Sequence, residues 1–479
     1  MNYKMIAYVL SKVLLLEATL MLLPFGYSVF NKEACVSAFL ITIAILFVIG
    51  SLLAYKQPKN TAIYAKEGFV VVALSWVLLS VFGAMPFIFS GAITNPFDAF
   101  FETVSGFTTT GASILTNVEA LDGGLLFWRS FTHWIGGMGV LVFILAVLPL
   151  ARNNNMHLMR AEVPGPSVGK LVPRLRTTAK ILYGIYFVMT IIEIIILCLC
   201  GMPLFDSVLH AFGTAGTGGF GIKNNSIAYY DNATIDFVIG TFMILFGINF
   251  NIFYYVLIGK VKEAFSSEEL RWYFGIIAVA TILIALNILP SHVSIWNALR
   301  YSYFQVASII TTTGYSTANY DLWPSFSKTI IVLLMFSGAC AGSTGGGIKV
   351  GRLIILAKQQ VAEIKKMVHP RSVHALTLDG KQVDRSMLAG VQTFIVMYFF
   401  VLLTGVLLLS LDGFSFTTNF TAVLSCISNI GPGLEAVGPV QNFSIFSNFS
   451  KLMLSFIMLA GRLELFPLLI LFMPGLYKK

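Results

Sequence analysis

The chain has 479 residues, of which 57% are apolar and 11% are charged, and its mean hydropathy is +0.83. Soluble domains carry roughly a quarter charged residues, so this composition excludes an ordinary water-soluble fold and predicts an integral membrane protein in a lipid bilayer. The net charge of +9 does not indicate nucleic-acid binding, because the basic residues gather between alternate spans as the positive-inside rule describes. We therefore predict both termini on the cytoplasmic side.

Apolar runs long enough to cross a membrane recur along the chain. We predict about ten spanning helices of ~20 residues each, since a helix of that length crosses a hydrocarbon layer of ~30 Å. The first run is expected to stay as a helix and not to be a signal peptide. The predicted spans are 4–26, 36–55, 69–90, 128–150, 181–200, 234–258, 273–290, 328–348, 391–411 and 451–475.

Four glycine-containing segments recur at equivalent places between the later spans. They are Thr109-Thr110-Gly111, Thr217-Gly218-Gly219, Thr312-Thr313-Gly314 and Asn429-Ile430-Gly431. Asp98 and Asp206 each precede their glycine by 13 residues, where an Asp would cap a short helix that enters the membrane without crossing it. Recurrence at a fixed place between spans indicates an internal repeat. Each unit is predicted to contain a span, a re-entrant pore helix, an extended strand and a second span.

The repeat predicts an all-α integral membrane fold with four re-entrant pore loops and four pseudo-symmetric units around one central pore. We assign two extra N-terminal spans to residues 1–67. The four pore units are assigned to residues 68–168, 169–262, 263–380 and 381–479. Irregular backbone at membrane depth is tolerated where it lines a polar path, so the glycine segments are expected to line the pore.

Glycine explains how such a path could select an ion. It adopts backbone angles that are closed to other residues, so consecutive carbonyl oxygens can point one way. Four strands around one axis would form rings of oxygens that replace the hydration shell of a monovalent cation. The predicted selectivity filter comprises Thr109, Thr110, Gly111, Gly218, Gly219, Thr312, Thr313, Gly314, Asn429, Ile430 and Gly431. Acidic residues in the outer connections are expected to concentrate cations at its entrance.

The predicted span 328–348 is interrupted by small residues. Each glycine costs about 1 kcal/mol relative to alanine inside a helix, so we expect this segment to leave the helix and form an intramembrane loop. A nucleotide-binding P-loop is disfavoured because Lys349 is followed by Val350 and not by Ser or Thr. A packing face of small residues stays open as an alternative. The loop comprises Gly338, Ala339, Cys340, Ala341, Gly342, Ser343, Thr344, Gly345, Gly346 and Gly347.

Arg462 lies midway along the last predicted span. A charge at that depth costs about 2.5–3.5 kcal/mol on insertion scales, so Arg462 should face a cavity or another part of the protein and not lipid. Glu464 lies two residues further on, on another helix face, and is not expected to pair with it. Tuning of conduction and purely structural pairing both stay open for this arginine.

The whole chain resembles the superfamily of potassium transporters that includes TrkH, KtrB and the plant HKT proteins. The two extra N-terminal spans and the segment Glu162-Val163-Pro164-Gly165-Pro166 resemble TrkH more than KtrB. In that family a glycine in every filter strand goes with potassium preference, and the four filter glycines here imply potassium as the transported ion. The fourth strand departs from the pattern, with Asn429 and Ile430 in place of two threonines and Pro432 after the glycine.

The resemblance has further implications. It implies that residues 338–347 gate the pore below the filter and that Arg462 lies beside the path and raises the barrier to cations. It also implies a homodimer in the bacterial cytoplasmic (inner) membrane, bound to a cytoplasmic nucleotide-binding regulatory protein of the TrkA type. Potassium is the expected ligand, and no organic cofactor is expected.

Other functions are weighed against this interpretation. The sequence shows no nucleophile–base pair, no paired catalytic carboxylates and no phosphate cradle, so we predict no enzymatic activity. The histidines do not gather into a site and are expected to be packing or interface residues. Two alternatives stay open: the ion-conducting subunit of an ATP-driven potassium pump, and, more remotely, a secondary transporter for an organic solute. The single orientation of the four units disfavours the latter, whose folds usually contain inverted repeats.

Overall fold

The computed structural model describes residues 1–56, 58–60, 63–139, 175–291, 294–370 and 375–474, and this part of the chain is almost entirely helical. Several features singled out from the sequence lie outside the described residues. They are the second half of the predicted span 128–150, the segment Glu162-Val163-Pro164-Gly165-Pro166, and His157, His292 and His374.

Six of the described helical segments are long and apolar enough to cross a membrane. Two of them precede the repeated units: the bent segment formed by Tyr3–Leu20 and Leu22–Asn31, and the helix Val36–Ala54. The other four begin the units and are called outer helices 1 to 4. They are Ala65–Gly83 with its continuation Met85–Phe89, Leu175–Leu199, Glu268–Ile288 and Arg385–Leu409.

Each unit continues with a short helix that is too short to span a bilayer. We call these pore helices 1 to 4, and they are Pro96–Phe107, Leu204–Gly216, Ile295–Ile310 and Phe416–Ser428. The predicted Asp caps are wrong. Pore helix 1 is capped by Asn95, whose side chain accepts a hydrogen bond from the Phe97 amide at 3.0 Å. Asp98 instead pairs with Lys451 of unit 4 at 2.7 Å, so it joins two units and does not cap its helix.

The helix that follows each pore helix is short, which differs from the continuous second span predicted for each unit. These inner helices 1 to 4 are Gly123–Gly137, Ala233–Phe246, Ser325–Phe336 and Asn448–Arg462. After inner helix 2 the chain bends by 92° before a second helix, Phe250–Leu257, whose start is capped by Asn249. After inner helix 4, Glu464 and Leu465 have positive φ angles of 54° and 69°. Apolar composition reports burial, and it does not reveal where a buried helix breaks.

The remaining elements connect these units. The helix Val350–Val368 follows the glycine-rich segment of unit 3, and an antiparallel hairpin of β1 (Thr377–Leu378) and β2 (Lys381–Gln382) precedes outer helix 4. Two short helices are Val261–Phe265 and Phe466–Ile470. Single 3₁₀ turns lie at Val118–Ala120, Ser226–Tyr230, Leu289–Ser291, Tyr320–Leu322, Ser410–Asp412, Glu435–Val437 and Phe443–Ile445.

Candidate functional site: a four-strand ring and the loop beneath it

The four glycine segments share one unusual backbone conformation. In every segment the residue two places before the glycine is left-handed, although it is not glycine. These residues are Thr109 (φ 55°), Thr217 (54°), Thr312 (60°) and Asn429 (56°). The glycines are left-handed as well: Gly111 (φ 81°), Gly219 (73°), Gly314 (89°) and Gly431 (100°). Left-handed residues other than glycine are uncommon, so four of them in register show that the sequence repeat is a structural repeat.

The glycines also show how the strands are arranged around an axis. A Cβ atom built on each glycine would lie closer than 3.0 Å to a carbonyl oxygen of the next strand. The pairs are Gly111 with Gly218 O, Gly219 with Thr313 O, Gly314 with Ile430 O, and Gly431 with Thr110 O. These contacts run from unit 1 to 2, to 3, to 4 and back to unit 1. The four strands therefore form a closed ring. At each glycine a carbonyl oxygen of the next strand occupies the space that a side chain would need.

The threonine hydroxyls of the strands serve different purposes. Those of Thr110 and Thr313 hydrogen-bond to Thr108 and Thr311 at 2.8 Å, which fastens each strand to the end of its own pore helix. The Thr312 hydroxyl accepts a hydrogen bond from the Gly346 amide at 2.7 Å. The buried hydroxyl of Thr109 has no hydrogen-bond partner. The hydroxyls of Thr110, Thr312 and Thr313 are engaged, so these residues offer mainly their backbone carbonyls to a bound ion.

The divergent fourth strand has a clear structural account. The Asn429 amide group donates hydrogen bonds to the Thr110 hydroxyl and to the Met458 carbonyl, both at 2.9 Å. Asn429 thus joins strand 4 to strand 1 on one side and to inner helix 4 on the other. The shorter side chains of threonine and serine could not make both contacts. Ile430 is fully buried, and its carbonyl takes its place in the ring next to Gly314.

His133 belongs to this site, although the sequence predicted only a packing or interface role for it. Its Nδ1 lies 2.7 Å from the Gly106 carbonyl, and its Nε2 accepts a hydrogen bond from the Phe220 amide at 3.2 Å. This pattern requires a neutral ring protonated on Nδ1. The ring also occupies the space that a side chain at Gly218 would fill, which explains why strand 2 has a glycine where strands 1 and 3 have threonine. No spacing pattern in the sequence would have revealed the contact.

An open vestibule of about 230 Å³ lies at one end of the ring. It is bounded by the four glycines of the ring and by polar side chains, among them Asn224 and Gln441. Its charged lining residues are Arg129 and Lys223, and no acidic residue lines it in the part of the chain that the structure describes. The predicted acidic entrance is therefore wrong at the level of the vestibule wall.

The outer acidic residues have structural partners instead. Glu33 accepts a hydrogen bond from the Gly124 amide at 2.8 Å, and Asp122 accepts one from the Cys35 amide at 3.0 Å. Both contacts fasten inner helix 1 to the N-terminal helices. Glu435 accepts hydrogen bonds from the hydroxyls of Ser415 and Thr418, and these bonds lower the pKa of its carboxyl group.

The glycine-rich segment of unit 3 lies at the opposite end of the ring. Residues 337–349 belong to no helix. The Gly346 amide donates to the hydroxyl of Thr312 in strand 3 of the ring, and the Cys340 amide donates to the Gly247 carbonyl at 3.0 Å. The Phe250 amide donates to the Gly342 carbonyl at 3.1 Å. The loop therefore lies against strand 3 of the ring and occupies the break after inner helix 2.

The two ends of the loop are fastened to each other. The Gly338 amide donates to the Ile348 carbonyl at 2.7 Å. Glu269 of outer helix 3, which is 8% exposed, accepts hydrogen bonds through one oxygen from the amides of Ala341 at 2.9 Å and Gly351 at 2.8 Å. A single carboxylate thus joins the loop, at Ala341, to the start of the helix Val350–Val368, at Gly351.

Replacing Glu269 with glutamine is expected to loosen the loop. A buried hydrogen bond to a charged group contributes about 1.5–3 kcal/mol, and the neutral amide would keep the shape but weaken both bonds. We expect faster proteolysis or hydrogen exchange within residues 337–349, measured by mass spectrometry on the purified protein. Glu263→Gln, which alters an exposed carboxylate paired with Lys260, is the control and should leave this segment unchanged. Unchanged exchange in Glu269→Gln would contradict the role given to this carboxylate.

Arg462, at the end of inner helix 4, holds the loop from the other side. Its guanidinium donates to the Thr344 carbonyl at 2.7 Å and to the carbonyls of Gly136 and Gly137 at 2.6 and 2.7 Å. The loop is thereby joined to the end of inner helix 1. Glu464 is not its partner, since it pairs with Arg352 at 2.6 Å. Arg462 faces protein and not lipid, as expected from the cost of burying its charge.

The comparisons with known proteins concern the chain as a whole. The model of a family described as TrkH, cation transport protein, matches residues 36–476. The chain is 34% identical to the Trk system potassium uptake proteins TrkH of Salmonella typhimurium and of Escherichia coli K12, over 100% of each chain. The crystal structure of the potassium transporter TrkH from Vibrio parahaemolyticus matches with a TM-score of 0.90 and 30% identity, again over 100% of both chains.

These matches cover both the fold and nearly the whole sequence. They confirm the resemblance drawn from the four glycine segments, and they confirm the helical membrane fold. They also confirm that the chain is not an enzyme, because the matching proteins are transporters. The chain belongs to the TrkH family of cation transport proteins.

Proposed function

We propose that this protein carries potassium ions into the cell across the cytoplasmic membrane, through the ring formed by its four glycine segments. The observation that carries the proposal is the closed order of the strands, in which each filter glycine lies against a backbone carbonyl of the next unit. Rings of carbonyl oxygens can replace the water around a dehydrated cation. The matching relatives are named as potassium uptake proteins, which supports potassium as the ion.

The chemistry of the ring favours a monovalent ion. Calcium and magnesium sites are built largely from carboxylates, and magnesium gives up its water reluctantly. The filter segments contain no acidic residue, so the ring supplies neutral oxygens only. Such a ring compensates the dehydration of potassium better than that of a divalent ion. The membrane potential alone can drive uptake, since 100 mV corresponds to about 2.3 kcal/mol for each charge.

The loop of residues 338–347 and Arg462 are proposed to form the gate. The loop lies against Thr312 at the base of the ring, and Arg462 joins it to inner helix 1. Conduction then requires the loop to move away from the filter. Arg462 places a fixed positive charge next to the same point, where it would oppose the passage of cations.

The assembly is proposed from family membership. The relatives belong by name to a Trk system, which supports a complex with a cytoplasmic nucleotide-binding regulator of the TrkA type. We also propose a homodimer with one pore in each subunit, inserted in the bacterial inner membrane with both termini cytoplasmic. The alternative, a subunit of an ATP-driven pump, predicts that uptake requires an ATPase partner.

Cation flux into liposomes tests the proposal. Purified protein would be reconstituted, and uptake of potassium, rubidium, sodium and lithium would be compared under an imposed potential, with and without candidate regulatory partners. We expect potassium and rubidium to enter in preference to sodium and lithium, without ATP hydrolysis. Empty liposomes provide the control. Absence of cation uptake under every condition would contradict the proposed function, and uptake that depends on ATP hydrolysis would favour the pump.

A further inference from the structure

An ion pair lies buried beside the outer end of the filter, and neither the sequence repeat nor the gate accounts for it. Glu102 of pore helix 1 and Arg129 of inner helix 1 meet at 2.7 Å, with side chains only 1% and 3% exposed. Glu102 precedes the filter glycine Gly111 by nine residues. Charged residues are rarely buried at membrane depth without a functional reason.

The other side-chain hydrogen bonds of this pair go to residues just beyond the glycines of strands 1 and 2. Glu102 accepts hydrogen bonds from the Ser113 hydroxyl and from the Ile114 amide, both at 2.9 Å. These residues lie two and three places after Gly111. The carboxylate therefore holds the strand at the point where it leaves the ring.

Arg129 extends the contact to the neighbouring unit. Its guanidinium donates to the Gly221 carbonyl at 2.9 Å and lies 3.5 Å from the centre of the Phe220 ring. Phe220 and Gly221 follow the filter glycine of strand 2. One ion pair therefore sets the separation of strands 1 and 2 just outside the ring.

Unit 2 has a neutral counterpart of this arrangement. His210 also precedes its filter glycine by nine residues, and its Nδ1 lies 3.4 Å from the hydroxyl of Tyr315. Tyr315 follows Gly314 in strand 3. The same position of the pore helix thus joins unit 2 to the residue that follows the glycine of strand 3. The equivalent position holds Gln305 in unit 3, whose amide group has no hydrogen-bond partner, and Ala422 in unit 4. Among the described residues the contact between neighbouring units at this position is therefore confined to units 1 and 2, and it is ionic in unit 1.

We propose that Glu102 and Arg129 are positioning residues that determine ion selectivity. This inference rests on the proposed function and adds two residues to it. Discrimination between potassium and sodium depends on the spacing of the carbonyl rings, and the pair fixes that spacing between strands 1 and 2. Glu102 has a second effect, because it compensates the charge of Arg129, which lines the vestibule. Without Glu102, that charge would repel entering cations.

Two variants separate these effects. Glu102→Gln leaves the charge of Arg129 uncompensated, so we expect potassium uptake and the ratio of potassium to sodium uptake both to fall about tenfold, as for loss of a charged hydrogen bond. Arg129→Lys keeps the charge, but its single ammonium group cannot reach Glu102 and Gly221 while stacking on Phe220. We expect it to lower the selectivity ratio with a smaller effect on potassium uptake.

A control variant and a second filter-side variant are needed to attribute a change in the uptake ratio to this ion pair. Arg300→Lys alters another ion pair of the outer region, formed with Asp236 at 2.7 Å, and should retain the selectivity of the unmodified protein. If Glu102→Gln fails to fold, Phe220→Leu removes the stacked ring without stranding a charge and should still lower the ratio. An unmodified protein that carries no potassium would refute the proposed function itself. A selective unmodified protein whose Arg129→Lys and Phe220→Leu variants keep its ratio would overturn this inference alone.

Discussion

Replacing Gly219 with alanine is expected to abolish the preference for potassium over sodium, so that the uptake ratio falls to about one. A Cβ atom at this position would collide with the backbone carbonyl of Thr313 and approach the backbone of Gly314. The residue also has a φ of +73°, which costs an L-amino acid about 1–2 kcal/mol. Since the obstructing atoms are backbone and not the end of a flexible side chain, strand 3 must move and the ring must open.

The measurement is competitive uptake of potassium and sodium into liposomes. Gly184→Ala is a matched control in the same unit, because Gly184 lies in outer helix 2, where an added Cβ atom would have nothing within 4 Å. It should keep the selectivity of the unmodified protein. A Gly219→Ala protein that still prefers potassium would show that the ring is not the selectivity filter.

Replacing Arg462 with glutamine is expected to raise potassium flux in the absence of any partner protein. The variant loses the charged hydrogen bond to Thr344 of the loop and the link to Gly136 and Gly137 of inner helix 1. Bonds of this kind contribute about 1.5–3 kcal/mol, so the population with a displaced loop should rise about ten- to a hundredfold. Removal of the positive charge beside the path acts in the same direction.

Arg462→Lys distinguishes the two contributions. A lysine keeps the charge, but one ammonium group cannot bridge Thr344 and the end of inner helix 1 as the guanidinium does. We expect a flux between those of the unmodified protein and Arg462→Gln, measured as the initial rate of rubidium uptake. A flux in Arg462→Gln at or below that of the unmodified protein would contradict a role in holding the gate closed.

Much of the architecture could be predicted from the sequence, because its signals are local. Apolar runs long enough to span a bilayer located the four outer helices, and four recurring glycine segments located the pore units. The inner helices were predicted less well. Residues 234–258 form one apolar run, yet the helix breaks at Asn249, since the break is set by the loop of unit 3 that packs into it.

The repeat of the four glycine segments could be predicted from the sequence, but the contacts between them could not. Glycine at each position indicated backbone angles that are closed to other residues, which the structure shows as positive φ angles; it did not reveal that each glycine lies against the carbonyl of the next strand. The contacts of His133 with strand 2 and of Asn429 with strand 1 join residues far apart in the chain. No local pattern in the sequence indicates the ion pair of Glu102 and Arg129 either. Such contacts depend on how the units pack together, which residue spacing does not record.

The most direct test of the central claim is to locate the ion. Crystals of the purified protein would be soaked in rubidium or thallium salts, and the anomalous scattering of the ions would be mapped. The four-strand ring predicts peaks on its axis, between the carbonyl oxygens of Thr110, Gly218, Thr313 and Ile430. An axis without peaks, or ions bound reproducibly elsewhere in the membrane region, would contradict the assignment of these strands as the path for potassium.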